Sequence, residues 1–300
     1  MNKLYTPLIL LFVVATACGQ QQNFDTVRVR SVKVAESIYM LKGSGGNIGV
    51  FTGREGLFMI DDQYAPLSDK ITAAIKAIDQ GSIRFLVNTH LHGDHSGGND
   101  NFAKVPGLTI VAHDQVRERM MKENVNKVMN RTTPPRAKEA WPVVTFANSM
   151  NFHLNDEDIE LLHFDVGHTD GDVIIHFKNA NVYHTGDAFV RYGFPFIDIS
   201  SGGGINGFIV TLDKLLNLLD SNSKIIPGHG ELATKADVKA FRDMVADIRD
   251  QVAKAQKSGK KNEDIAGMGI TAKYDAQWGN GFLKGKDFVM MVAENLKAQK

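Results

Sequence analysis

The sequence predicts an α/β sandwich made of two strand-helix halves, and three observations predict it. Short apolar runs broken by glycines open the chain, strand-like and helix-like patterns then alternate in both halves, and no Pro/Ser-rich linker or low-complexity tract divides them. In order, the runs at 27–29, 37–41, 47–51 and 57–60 are punctuated by Gly43 to Gly46, Gly53 and Gly56, the pattern of an antiparallel meander. Residues 68–78 carry apolar side chains at helical spacing, with Ser68 as the N-cap. Phe85, Leu86 and Val87 then read as a buried strand. A strand at 108–112, a helix at 114–129 and a loop through Pro134-Pro135 follow. Further strands are predicted at 151–154, 159–164, 173–177 and 182–184, then a helix at 205–219, a strand at 224–226 and a long helix at 235–257. Residues 259–300 are rich in glycine and turn helical from Lys286; they are expected to pack on the same domain with Trp278 and Phe282 as anchors.

Three hundred residues at 43% hydrophobic content suffice for a sizeable core, and the missing linker favours one domain over 26–300. Lys plus Arg and Asp plus Glu both number 34, so no net field attracts a phosphate backbone, which argues against nucleic acid as a partner. The basic run at 254–261 reads as a solvated helix end favoured by the dipole. Residues 1–18 are different in kind. Lys3 precedes the apolar segment 8–14 and then Ala15-Thr16-Ala17, an export-signal pattern too short for a membrane span of about 20 residues. A polar linker at 19–25 follows. The Ala17-Cys18 junction resembles a bacterial lipobox with Ala15 where leucine is usual, and ordinary cleavage before Cys18 fits Ala15-x-Ala17 as well. The expected location is the periplasm, with the chain either soluble or held to the membrane by a lipid on Cys18. Cys18 is the single cysteine, so the folded body has neither a disulfide nor a thiolate ligand.

Chemistry enters at Thr89-His90-Leu91-His92-Gly93-Asp94-His95, directly after the apolar run 85–87. Histidine and aspartate are both zinc ligands, and in an extended backbone His90 and His92 fall on one side, so one metal can take both. Asp94 and His95 sit past the strand end and can turn toward a second. A solvated polar turn accounts for any one of these histidines, but not for three beside an aspartate. Three later places put a ligand-type residue next to glycine after an apolar run: Gly167-His168-Thr169-Asp170-Gly171-Asp172, Thr185-Gly186-Asp187-Ala188 and Pro227-Gly228-His229-Gly230. Together with the first motif they supply seven candidate ligands. His113, His153, His163, His176 and His184 lack glycine brackets and read as packing or surface residues, with His184 near enough to Asp187 in sequence to support it.

In these motifs the chain resembles the metallo-β-lactamase superfamily of binuclear zinc hydrolases, over residues 27–257 and with all five family elements in order. The resemblance implies a four-layer αβ/βα sandwich of two mixed sheets flanked by helices. It also implies two Zn²⁺ ions: His90, His92 and His168 would bind the first, Asp94, His95 and His229 the second, and Asp187 would bridge them. Asp61, ending the run 58–60, matches the family's strand-end aspartate, expected to hydrogen-bond the metal-binding loop; a simple strand-to-helix turn explains Asp61-Asp62 nearly as well.

The implied reaction is hydrolysis. Zinc lowers the pKa of a bound water to about 7, which provides hydroxide at neutral pH without a protein base. Asp94, by family analogy, orients the nucleophile and passes its proton to the leaving group. The expected substrate is a β-lactam or related cyclic amide, because β-lactams act in the bacterial envelope where an exported enzyme would meet them. A lactonase or glyoxalase II-like thioesterase is the alternative. It is favoured by Asp187, where the commonest β-lactamases of this superfamily carry cysteine, and by a short Lys42-Gly43-Ser44-Gly45-Gly46 hairpin without an apolar tip. An iron-dependent persulfide dioxygenase, which uses a related histidine-rich motif, ranks third. Arg191 is a candidate anchor for a substrate carboxylate, and Ser200 to Gly204 reads as a helix start that offers N–H groups to an anion.

Overall fold

The computed structural model describes residues 23–126 and 131–298. The export-signal pattern at 1–18, with Cys18, lies outside the described residues, as does most of the 19–25 linker. No helix among the described residues is long and apolar enough to cross a membrane.

Strands β1 (Arg30–Lys33), β2 (Ile38–Lys42), β3 (Ile48–Phe51) and β4 (Leu57–Ile60) pair antiparallel in sequence order. Strands β5 (Ile83–Val87) and β6 (Thr109–His113) continue the sheet in parallel. A separate hairpin of β7 (Asn124–Asn126) and β8 (Arg131–Thr133) follows, and β9 (Val144–Phe146) closes the first sheet beside β6. The second sheet runs β10 (Ser149–Leu154), β11 (Glu157–Leu162), β12 (Ile174–Phe177), β13 (Val182–His184) and β14 (Lys224–Ile226), with only the last pair parallel.

The helices are α1 (Ser68–Ile78), the single turns α2 (Gly93–Ser96) and α3 (Asn99–Phe102), α4 (Asp114–Met120), α5 (Ile205–Leu218), α6 (Lys235–Lys257), α7 (Asn262–Ala266), α8 (Asp275–Trp278) and α9 (Gly285–Ala298).

Alternation along the strands builds the layers. In β4, Phe58 and Ile60 point between the sheets to meet Ile159, Leu161, Ile175 and Phe177, whereas Leu57 and Met59 point outward to Ile71 and Ile75 of α1. Both faces are covered, so β4 is apolar throughout. On the far side, Tyr183 and Ile225 pack against Phe208 and Leu212 of α5, Phe241 and Val245 of α6, and Phe288 of α9. The result is the expected four-layer αβ/βα sandwich.

Phe58 is fully buried, and its ring meets those of Phe152 at 5.2 Å and of Phe85 and Phe177 at 6.2 Å. Phe58→Ala is expected to cost about 3–5 kcal/mol through the cavity it leaves. That would lower Tm by roughly 10 °C, readable by thermal denaturation.

Four local expectations are corrected. The run at 27–29 stays outside the ladder, where the Lys70 ammonium donates to the carbonyls of Phe24, Asp25 and Val27. Ser68 begins α1 instead of capping it; Leu67, the last residue of a one-turn 3₁₀ helix, holds the N-cap position, and the Ser68 hydroxyl donates back to Ala65 O. The helix expected over 114–129 stops at Met120, because Asn124, Val125 and Asn126 are poor helix formers and pair as β7 instead. In the C-terminal segment Trp278 is half-buried against the α-helical core, but Phe282 is 62% exposed and does not anchor it.

Candidate metal centre

The loops after β5, β11, β13 and β14 bring the seven candidate ligands together at one end of the sandwich. The first loop is set by Asp61, which leaves β4 with a left-handed φ of 60°, a strained conformation for aspartate. Its N–H donates to Val87 O at 2.9 Å, its Oδ1 accepts from Thr89 N at 2.7 Å, and its Oδ2 accepts from the Thr89 hydroxyl and His95 Nδ1, each at 2.7 Å. One carboxylate thereby fixes both ends of the loop, which turns the expected hydrogen bond into three. Asp62, its neighbour, accepts from Gly98 N at 2.8 Å and has no place among the candidate ligands.

Ligand atoms of His90, His92 and His168 lie within 4.8 Å of one another, as do those of Asp94, His95 and His229, and those of His90, His95 and Asp187. The Asp187 carboxylate lies between the groups, with Oδ1 3.2 Å from His95 Nε2 and 3.5 Å from His229 Nε2, and Oδ2 3.7 Å from His168 Nε2. Asp94 Oδ2 is 3.3 Å from His229 Nε2. This crowding depends on glycine at two points. A Cβ on Gly228 would fall 2.0 Å from Asp187 Oδ1, and one on Gly46 2.1 Å from His95 Cε1.

Hydrogen bonding fixes which nitrogens face inward. His168 Nδ1 must donate to Phe196 O, a pure acceptor, at 2.7 Å; His92 Nε2 pairs with Asp198 Oδ2 at 2.9 Å; His90 Nδ1 meets Thr89 Oγ1 at 3.0 Å. His92 Nδ1 and His168 Nε2 are then left facing each other at 2.8 Å, a contact that only a shared cation, proton or metal, makes favourable. His90 Nε2 points into the same cluster, buried and without any hydrogen-bond partner. The donor set of imidazole nitrogens and carboxylates suits zinc and other divalent transition metals.

The electrostatics sort the side chains into those that keep lone pairs and those biased toward charge. Burial and the neighbouring His95 and His168 push His90 well below its usual pKa, and burial with His92 pushes His168 down to about 4, so both keep lone pairs. Burial alone would raise Asp187 and Asp94, but the surrounding imidazoles more than offset it and hold both carboxyls ionised, well below their usual range. For His95 burial opposes charging, yet the carboxylates of Asp187, Asp61 and Asp94 prevail and raise it.

The cluster forms the floor of a cavity of about 500 Å³. Its walls combine apolar side chains, among them Leu91, Met120 and Phe196, with Arg119, Lys122 and Arg136, and Pro134 brings the expected loop to one face. Arg119 is committed to a bidentate pair with Asp170, and Lys122 to Glu118. Arg191 does not line the cavity, contrary to the sequence expectation; its guanidinium turns to Leu232 O and to Asp237 at the start of α6. Ser200 and Ser201 belong to a separate 3₁₀ turn capped by Asp198, and Gly204 precedes α5. His184 supports the Asp187 turn, accepting from Gly186 N while its Nε2 reaches Asn47 O. His113 stacks on His163, His176 stacks on Tyr183, and His153 pairs with Asp158, all structural.

Sequence reasoning missed three residues. Asp198 orients His92, and its only local signal is an N-cap pattern before Ser200-Ser201. Tyr192 lines the cavity beside His229; burial and the carboxylates of Asp187 and Asp94 push its pKa well up, so its hydroxyl keeps its proton. Gln63 pins the Gly43 to Gly46 hairpin, donating to Gly46 O at 2.6 Å and accepting from Ser44 N. Asp198→Ala frees the His92 ring and is expected to weaken divalent-metal binding about 10- to 100-fold, measurable by competition with a chromophoric chelator.

Comparison with known proteins bears on the same region. The family model described as the metallo-beta-lactamase superfamily matches residues 41–229. The human acyl-coenzyme A thioesterase MBLAC2 is 27% identical over 211 residues, 64% of this chain and 72% of that protein. A hydroxyacylglutathione hydrolase of Polaromonas is 22% identical over 221 residues, 73% of this chain and 74% of that one. Among solved structures, a metallo-beta-lactamase from Pontibacter korlensis superposes with a TM-score of 0.60 at 14% identity, over 73% of this chain and 99% of that one.

Proposed function

This chain belongs to the metallo-β-lactamase superfamily of hydrolases, and from that premise we propose that it cleaves thioesters with a pair of zinc ions held by the seven clustered residues. The observation that carries the reading is the Asp187 carboxylate between two imidazole sets, with His95 completing the second. The relatives named as an acyl-coenzyme A thioesterase and a hydroxyacylglutathione hydrolase lend support.

Two divalent ions bound there would supply an ionised water at neutral pH and polarise the substrate carbonyl. The chain's own groups do the rest. Asp94 is partly open to the cavity, so its carboxylate can orient the attacking water and relay the proton of the added hydroxyl to the departing sulfur. Tyr192 adds a phenol to the cavity wall, its ring 5.3 Å from that of His229. Asp61 and Asp198 hold the histidine rings in their inward-facing orientation.

Opening of β-lactams is the second reading, favoured by the export-signal pattern at 1–18, which also leads us to propose a periplasmic location, with the chain either soluble or held to the membrane by a lipid on Cys18. The deciding experiment is a hydrolysis screen of zinc-loaded protein on acyl thioesters, acyl lactones, a penicillin, a cephalosporin and a carbapenem, alongside metal analysis. Thioester turnover with two zinc per chain is expected. Turnover of β-lactams alone would transfer the assignment to the second reading, and iron with oxygen uptake would overturn both.

A further inference from the structure

One large apolar side chain stands at the cavity with no folding reason to be there. Phe282 is 62% exposed, yet its segment is fixed: Phe194 N donates to Trp278 O at 3.1 Å, and Gly193 and Gly281 pass so closely that a Cβ on Gly281 would fall 2.3 Å from Tyr192 O. The C-terminal segment is therefore clamped to the stretch that follows Asp187. The clamp presents the Phe282 ring edge-on to Phe196 at 6.2 Å, and Phe196 in turn lies 6.3 Å from His92 and 6.1 Å from His168. An aromatic wall thus descends from solvent to the candidate metal floor. Its outer end comes from beyond residues 41–229, the stretch matched by the family model, so it belongs to the chain's own C-terminal segment.

From this wall we infer that Phe282 and Phe196 form the binding surface for the acyl chain of the substrate, and that Phe282 sets the preferred chain length. The inference rests on the thioester reading. A carbonyl at the floor needs only a small part of about 500 Å³, and an apolar tail leaving it along Phe196 would cover the face of Phe282 that water now meets. Each methylene buried there strengthens binding by about fourfold.

The test uses zinc-loaded full chain and N-acetylcysteamine thioesters from acetyl to octanoyl. The kcat/KM of the unaltered protein is expected to climb with chain length, and Phe282→Ser to cut the octanoyl-to-acetyl ratio at least tenfold, chiefly through KM, with Phe282→Leu restoring most of it. An unchanged ratio in Phe282→Ser would overturn the inference. A second measurement separates it from the proposed reaction: calorimetric binding of the unreactive S-octyl thioether of N-acetylcysteamine to protein without metal. If no thioester is cleaved but the thioether binds and Phe282→Ser weakens it at least fivefold, the thioesterase reading falls and the apolar lip is upheld. Equal binding by both proteins, or none by either, would overturn the lip.

Discussion

Asp94→Asn is expected to lower kcat on the best substrate by about 10²- to 10⁴-fold while the protein stays folded. The side chain keeps its size, and the backbone oxygen of residue 94 still accepts from Gly46 N at 2.9 Å, so the hairpin contact survives. The carboxylate that receives a proton is lost, and so is the charge opposite His229 and His95. Metal content measured on the same preparation separates the two losses. If the variant retains its metal and is slow, proton transfer is at fault; full activity would contradict the role given to Asp94.

Asp61→Ala is expected to be the most damaging change away from the candidate ligands. It strips acceptors from Thr89 N–H, the Thr89 hydroxyl and His95 Nδ1–H at a point with no solvent access. Removing one member of a buried charged network typically costs about 3–5 kcal/mol, roughly 10 °C in Tm for a chain of this size. Metal affinity should fall with it, by about 10- to 100-fold, because both ends of the loop from Thr89 to His95 lose their tether. Thermal melts and chelator competition read the two effects separately. A melt unchanged by the substitution would show that the loop is held by other means.

What could be read from the sequence follows from how local each signal is. The seven clustered residues were legible because side chains able to hold a metal are few in kind, His and Asp here, and because glycines stand beside His168, Asp187 and His229, with Gly228 leaving room for the Asp187 carboxylate. The layers were legible because β4 carries the unbroken apolar character of a strand buried on both faces, and β5 ends in the apolar run 85–87. Asp198 was not, since its bond to His92 joins residues 106 positions apart and the local sequence shows only a turn. Arg191 was misread because the direction of a long side chain depends on what competes for it, here Asp237 in the capping box of α6. Phe282 looked like core because hydrophobicity reports a preference for leaving water and says nothing of whether the partner is protein or ligand.

The placement of the seven residues also makes the two halves of the chain mutually dependent. His90, His92, Asp94 and His95 issue from the first sheet, whereas His168, Asp187 and His229 issue from the second. A cation held among them is a rivet across the sandwich, and its binding energy enters the stability of the whole fold. At a free concentration of 100 times its dissociation constant, such a rivet adds about 2.7 kcal/mol. The supply of such a metal would then govern how long the protein lasts as well as how fast it works.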